Sequence, residues 1–78
     1  MDIKQTGLLL AKIALIENRE ATNETILAWN EILADVNFDD AMEALLQHYR
    51  HSTDNCKPAH IVRGARAIKE EKKKRVIN

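Results

Sequence analysis

All three histidines and the single cysteine of the chain fall within thirteen residues, as His48, His51, Cys56 and His60 in the spacing H-x2-H-x4-C-x3-H. Imidazole nitrogen and thiolate sulfur are ligands that zinc prefers, and a loop between two helices would be able to fold such a set around one ion. Against this stand the lack of cysteines paired at short spacing, the usual mark of a structural zinc site, and a loop that helix capping already explains. The reading taken from the sequence is therefore no metal and no cofactor. His48 packs at the edge of the core and donates to a nearby carbonyl, with His51 and His60 exposed near helix ends. No paired carboxylates in a pocket, nucleophile with a base, or glycine-rich phosphate loop is recognisable, so no enzymatic activity is expected.

The second set of residues with chemical potential is cationic. Arg63, Arg66, Lys69, Lys72, Lys73 and Arg75 crowd the C-terminal end, with Lys74 among them. From Met1 to Cys56 ten acidic residues stand against four basic ones, and from Lys57 to Asn78 eight basic against two acidic, so a formal net charge of zero hides a body of minus six and a tail of plus six. Such a split favours attachment over catalysis. On a continued helix Arg63, Arg66, Lys69 or Glu70, and Lys73 recur at about one-turn steps, a flank able to follow a phosphate backbone or to meet a protein surface. The plainer alternative is a solvated helix end whose cations complement the helix dipole while Glu70 and Glu71 pair locally. Aromatic residues are too few for a stacking platform, so nucleic-acid binding by this tail would be weak, salt-sensitive and indifferent to sequence. The acids Glu31, Asp35, Asp39, Asp40 and Glu43 read as a solvated outer face, or in a sharper version as a patch for a basic partner.

The elements that position these residues are helices. Only two glycines and one proline occur in 78 residues, and no alternating Val/Thr/Tyr stretch suggests a strand. Four helices are expected. The first runs from about Ile3 to Glu17 with Leu9, Ile13 and Ile16 inward and the stripe broadened by Leu8, Leu10 and Leu15. Thr22 caps a second that reaches about Ala34, with Ile26, Trp29 and Leu33 on one face and Trp29 in the core. Asn37 caps a third, where Phe38, Ala41, Met42, Leu45, Leu46 and Tyr49 follow at spacings of three and four. Pro58 opens a fourth at a position where its missing N–H costs nothing, with Ile61, Val62, Ala65 and Ile68 inward. The apolar stripe stops there. The expected organisation is a small all-α four-helix bundle over residues 1–68 with a basic, frayed or solvated helical extension over residues 69–78. A chain of this size buries about 60 to 65 per cent of its unfolded surface, which leaves little depth for a substrate cavity. The single cysteine, the absence of a basic segment leading into a long apolar one at the N-terminus, and apolar runs too short to cross a bilayer lead to the expectation of a cytoplasmic protein.

The run Trp29, Leu33, Asp35, Ala41, Ala44, His48, Pro58-Ala59 and Ile61 resembles the small phage helicase loader and inhibitor proteins, with their Trp, an Asp after the second helix, an Ala/His helix and a Pro-containing start to the last helix. The stretch from His48 through Ser52-Thr53-Asp54 to Pro58, Ile61, Arg63, Arg66, Ala67 and Ile68 is also similar to small proteins of actinobacterial phages and prophages. The resemblance covers roughly Leu8 to Lys69 and implies a protein of phage DNA replication that binds the replicative hexameric helicase and a replisome organiser. In that family a flexible C-terminal part makes most of the helicase contact. The corresponding part here is the short basic end from Lys69 to Asn78. The expected function is thus a non-catalytic phage or prophage adaptor with a protein partner. The alternatives are a small nucleic-acid-binding protein acting through its basic last helix, and a homodimer formed by pairing of the broad first helix.

Overall fold

Asp2 opens the first helix with a complete capping box: its carboxylate accepts from the Gln5 backbone N–H at 2.7 Å, while the Gln5 side chain accepts from the Asp2 N–H at 3.1 Å. This helix, α1, spans Ile3–Glu17 and ends at Asn18, whose φ of 54° is the left-handed stop expected at a helix C-terminus. Thr22 caps α2, Asn23–Leu33, by accepting from the Thr25 N–H at 3.2 Å. Asn37 caps α3, Phe38–His51, by accepting from the Asp40 N–H at 3.1 Å. Pro58 is the first residue of α4, Pro58–Ile77. The computed structural model describes the backbone of residues 1–77 and the side chains of residues 1–74. The four helices begin where the local capping chemistry predicts, and no strand occurs among the described residues.

Leu9, Ile13, Leu33, Leu45 and Ile61 are fully buried and draw all four helices onto one core, joined by Leu10, Trp29, Ala41 and Cys56. Burying each such aliphatic side chain contributes about 1.5 to 3 kcal/mol. Trp29 is a core residue, as expected. Polar contacts fasten the first two helices: the Asn30 amide donates to the Thr6 hydroxyl at 2.9 Å, and the buried Thr6 hydroxyl donates to the Asp2 carbonyl at 3.0 Å. The Met1 ammonium donates to the Ala34 and Val36 carbonyls, each at 2.8 Å, where the end of α2 leaves acceptors without a helical partner.

The apolar faces are narrower than the sequence suggests. Ile16, expected inward, is 48% exposed, Leu15 is 83% exposed, and Leu8 also faces solvent. Successive residues turn by about 100°, so the buried stripe through Thr6, Leu9, Leu10 and Ile13 next reaches residue 17 rather than 16. Glu17 takes the inward place. On α3, Leu46 is 45% exposed, while Phe38, Met42 and Tyr49 are half-buried, and on α4 Val62 is half-buried.

The most extensive packing in the bundle is between α3 and α4. Three pairs mark this antiparallel seam: His48 stacks on His60, Ala44 meets Gly64, and Asp40 receives Lys72. The seam puts the C-terminal half of α4 beside the acidic start of α3, instead of carrying it away from the body. The helix continues without a break past Ile68, the last residue of its apolar stripe. Among the described residues no helix is long and apolar enough to cross a membrane.

Candidate functional sites

Of the six cations singled out in the sequence, Arg63, Arg66, Lys69 and Lys73 are exposed and carry no ion pair among the described residues. The side chain of Arg75 lies outside those residues, as does Asn78 at the end of the expected extension. Lys72 is different. It is exposed like them, with 52% of its side chain open to solvent, but it stands four residues after Ile68, one turn beyond the apolar stripe, and its ammonium donates to the carboxylate of Asp40, a residue only 6% exposed. This contact, with Glu43 and Asp39 close by, raises the Lys72 pKa above its ordinary value. Asp40 thereby departs from the expected solvated acidic face: it is interior, with its charge answered by one lysine.

The four unpaired cations fall within an arc of about 120° on the helix. Arg66, Lys69 and Lys73 line an open groove of about 460 Å³, walled opposite by Asp35, Val36, Asn37 and Asp40 and shared with Glu70. The groove exists because the α2–α3 corner abuts the middle of α4. Its charge is mixed, with cations and carboxylates on facing walls.

A second site lies at the other end of the seam, where His48 on α3, Cys56 in the connecting loop and His60 in the first turn of α4 come together. One ligand atom from each of the three lies within 4.8 Å of the others. The imidazoles stack with centroids 4.4 Å apart and planes inclined by 27°. His48 Nε2 lies 2.9 Å from the Asp54 carbonyl oxygen, which only accepts, so this nitrogen carries the proton and Nδ1 holds the lone pair. That is the expected donation to a nearby carbonyl. His60 is not the exposed residue the sequence suggests: it is half-buried, and its Nδ1 accepts from the Lys57 N–H at 2.9 Å. It thus makes the backward bond of a capping box, with imidazole in the place of Glu or Gln. His51 is exposed and outside the cluster.

Glu17 holds this corner together and was not identified from the sequence as a site residue. Its Oε2 accepts from the Tyr49 hydroxyl at 2.5 Å and from the Cys56 N–H at 2.7 Å, while Oε1 pairs with the Arg19 guanidinium at 2.7 Å without accepting a hydrogen bond. Burial works to raise the Glu17 pKa, but the Tyr49 and Cys56 hydrogen bonds and the charges of Arg19 and Lys57 outweigh it, and the carboxyl titrates below its ordinary value. Burial first, and then the same contact with Glu17, push the Tyr49 hydroxyl well above its usual range. Burial first, then the nearby Glu17 charge, raise the Cys56 thiol to about 11. Fully buried and protonated at neutral pH, it is a poor nucleophile in this state. No protein-family model matches the chain, and neither a curated protein nor a solved structure matches it significantly.

Proposed function

We propose that this chain is a non-catalytic docking protein that attaches through the flank of α4 bearing Arg63, Arg66, Lys69 and Lys73, which meets a surface of mixed charge on a partner protein. The observation that carries the reading is the division of labour on that helix: Ile61, Ala65 and Ile68 are buried in the bundle and the half-exposed Lys72 is engaged by Asp40, while these four exposed cations have no ion-pair partner among the described residues. A rigid support holding unpaired charge is suited to recognition, because little side-chain and backbone ordering remains to be done on binding. The mixed groove favours a protein over nucleic acid. A phosphate backbone lying along Arg66, Lys69 and Lys73 meets like charge at Asp35 and Glu70, whereas a protein surface of mixed sign is complementary there. The resemblance to phage helicase loaders and inhibitors makes the replicative hexameric helicase the first partner to test, within phage or prophage DNA replication.

The test is a titration of purified helicase with the wild-type chain and with an Arg63→Glu/Arg66→Glu variant, read by interferometry, alongside a mobility shift on duplex DNA. Saturable helicase binding by the wild type, lost on charge reversal while the melting curve is kept, supports the reading. Absence of wild-type binding, or binding that survives the reversal, overturns it. If DNA is bound instead, four phosphate contacts predict a slope of log affinity against log salt of about −3.6, and the chain is then a nucleic-acid-binding protein.

A further inference from the structure

We infer that His48, Cys56 and His60 form a zinc site that staples the end of α3 to the start of α4. Zinc–nitrogen bonds of about 2.0 Å and zinc–sulfur bonds of about 2.3 Å place tetrahedral ligands roughly 3.3 to 3.7 Å apart. The three ligand atoms already lie within 4.8 Å of one another, so side-chain rotations that draw them about an ångström closer and turn the two imidazoles out of their stack, until their lone pairs converge, close the site. Three elements meet there for reasons independent of metal: the close approach of Ala44 and Gly64 holds the helices together, the Glu17 carboxylate holds the Cys56 backbone, and Pro58 starts α4 beside it. On binding, the Cys56 thiol gives up its proton to solvent and the ion takes its place on sulfur; two imidazoles and the resulting thiolate are a donor set that suits zinc over magnesium or calcium, which take oxygen.

The second layer of contacts fits the same ion. His48 gives its Nε2 proton to the Asp54 carbonyl, which leaves Nδ1 for the metal and sets the ring in place, as outer hydrogen bonds do for zinc-bound histidines. His60 must give something up: the nitrogen that accepts from Lys57 N–H either becomes the ligand or takes the proton when Nε2 does. Zinc binding therefore frees the Lys57 amide from His60, a mark specific to this geometry. With two half-buried imidazoles at the rim, a water completes the tetrahedron as the fourth ligand, as in zinc sites with three protein ligands.

The reduced full-length chain is titrated with cobalt(II) as a spectroscopic stand-in and then with zinc(II), and zinc binding is followed at each backbone amide by NMR. Expected are d–d bands of tetrahedral cobalt with a thiolate charge-transfer band, their bleaching by one equivalent of zinc, and a zinc-dependent shift centred on the Lys57 amide. Cys56→Ser and His60→Gln lose the bands, and His51→Asn keeps them. The inference is overturned if the wild-type chain gives no tetrahedral cobalt spectrum, if the Lys57 amide is unmoved by zinc, or if His51→Asn abolishes binding. The wild-type spectra and the Lys57 shift decide the matter even where a variant fails to fold.

Discussion

Gly64 and Ala44 touch across the α3–α4 seam so closely that a Cβ built on Gly64 would stand 2.7 Å from the Ala44 Cβ and 3.5 Å from its Cα. Real Cβ atoms do not approach that far, and the obstructing atom belongs to a side chain too short to swing aside. In open space a mid-helix Gly→Ala change stabilises by about 0.5 to 1 kcal/mol. Here the sign reverses: Gly64→Ala is expected to destabilise by about 1 to 3 kcal/mol as the helices are forced apart. Adding Ala44→Gly removes the obstruction and recovers part of the loss. Urea unfolding of the single and double variants checks this, and a stabilised Gly64→Ala would mean that the seam is looser than described.

Leu45 lies at the centre of the core and is completely buried, in contact with elements from the rest of the bundle. Leu45→Ala is expected to cost roughly 2 to 5 kcal/mol, a large share of the stability of a domain this small. A melting curve records it directly, and the same substitution at exposed Leu15 should change little.

Three helix starts were legible because their signals are local: Thr22 and Asn37 each bond an N–H three residues on, and Pro58 tolerates a first turn, whereas the capping box of Asp2 and Gln5 emerged only in the structure. The core helices and Trp29 followed from periodicity. What escaped was set by partners far along the chain. Hydropathy alone puts Ile16 inside, yet Glu17 occupies the inward place because Tyr49 and Cys56, 32 and 39 residues away, both donate to its carboxylate. In the same way Lys72 looked equal to its neighbours until the seam set it against Asp40. The histidine and cysteine spacing was visible, but only the antiparallel pairing reveals that His60 turns onto His48 and that His51 does not.

Glu17 makes stability fall in acid. Its pKa is lowered on folding, so its contribution is present above the ordinary carboxyl value of 4.5 and is lost as pH falls through the lower folded value. Tyr49, Arg19 and Lys57 are the charged or titratable groups acting on it, with the Cys56 N–H as a further donor. Glu17→Gln is expected to cost about 1 to 3 kcal/mol at neutral pH and to flatten the acid limb of the melting temperature against pH. An acid limb equally steep in the variant would assign that loss to other carboxylates.

Lys72 acts at the opposite extreme. Its pKa is raised by Asp40, so its stabilising effect is present below the ordinary lysine value of 10.5 and is lost as pH climbs through the higher folded value. Lys72→Met leaves Asp40 interior without its cation, and the expected result is a lower melting temperature at neutral pH with a weaker alkaline decline. A melting temperature equal to that of the wild type would show the Asp40 charge to be satisfied by another group.

The central claim is that one helix uses its cations in two ways, Lys72 for the fold and the outward flank for a partner. Helicase-binding isotherms of Arg66→Glu/Lys69→Glu and of Lys72→Met, each recorded well below its melting temperature, compare the two uses directly. The expected outcome is lost binding with retained stability for the outward pair, and retained binding with reduced stability for Lys72→Met. Lost binding in Lys72→Met together with wild-type binding in Arg66→Glu/Lys69→Glu would contradict it.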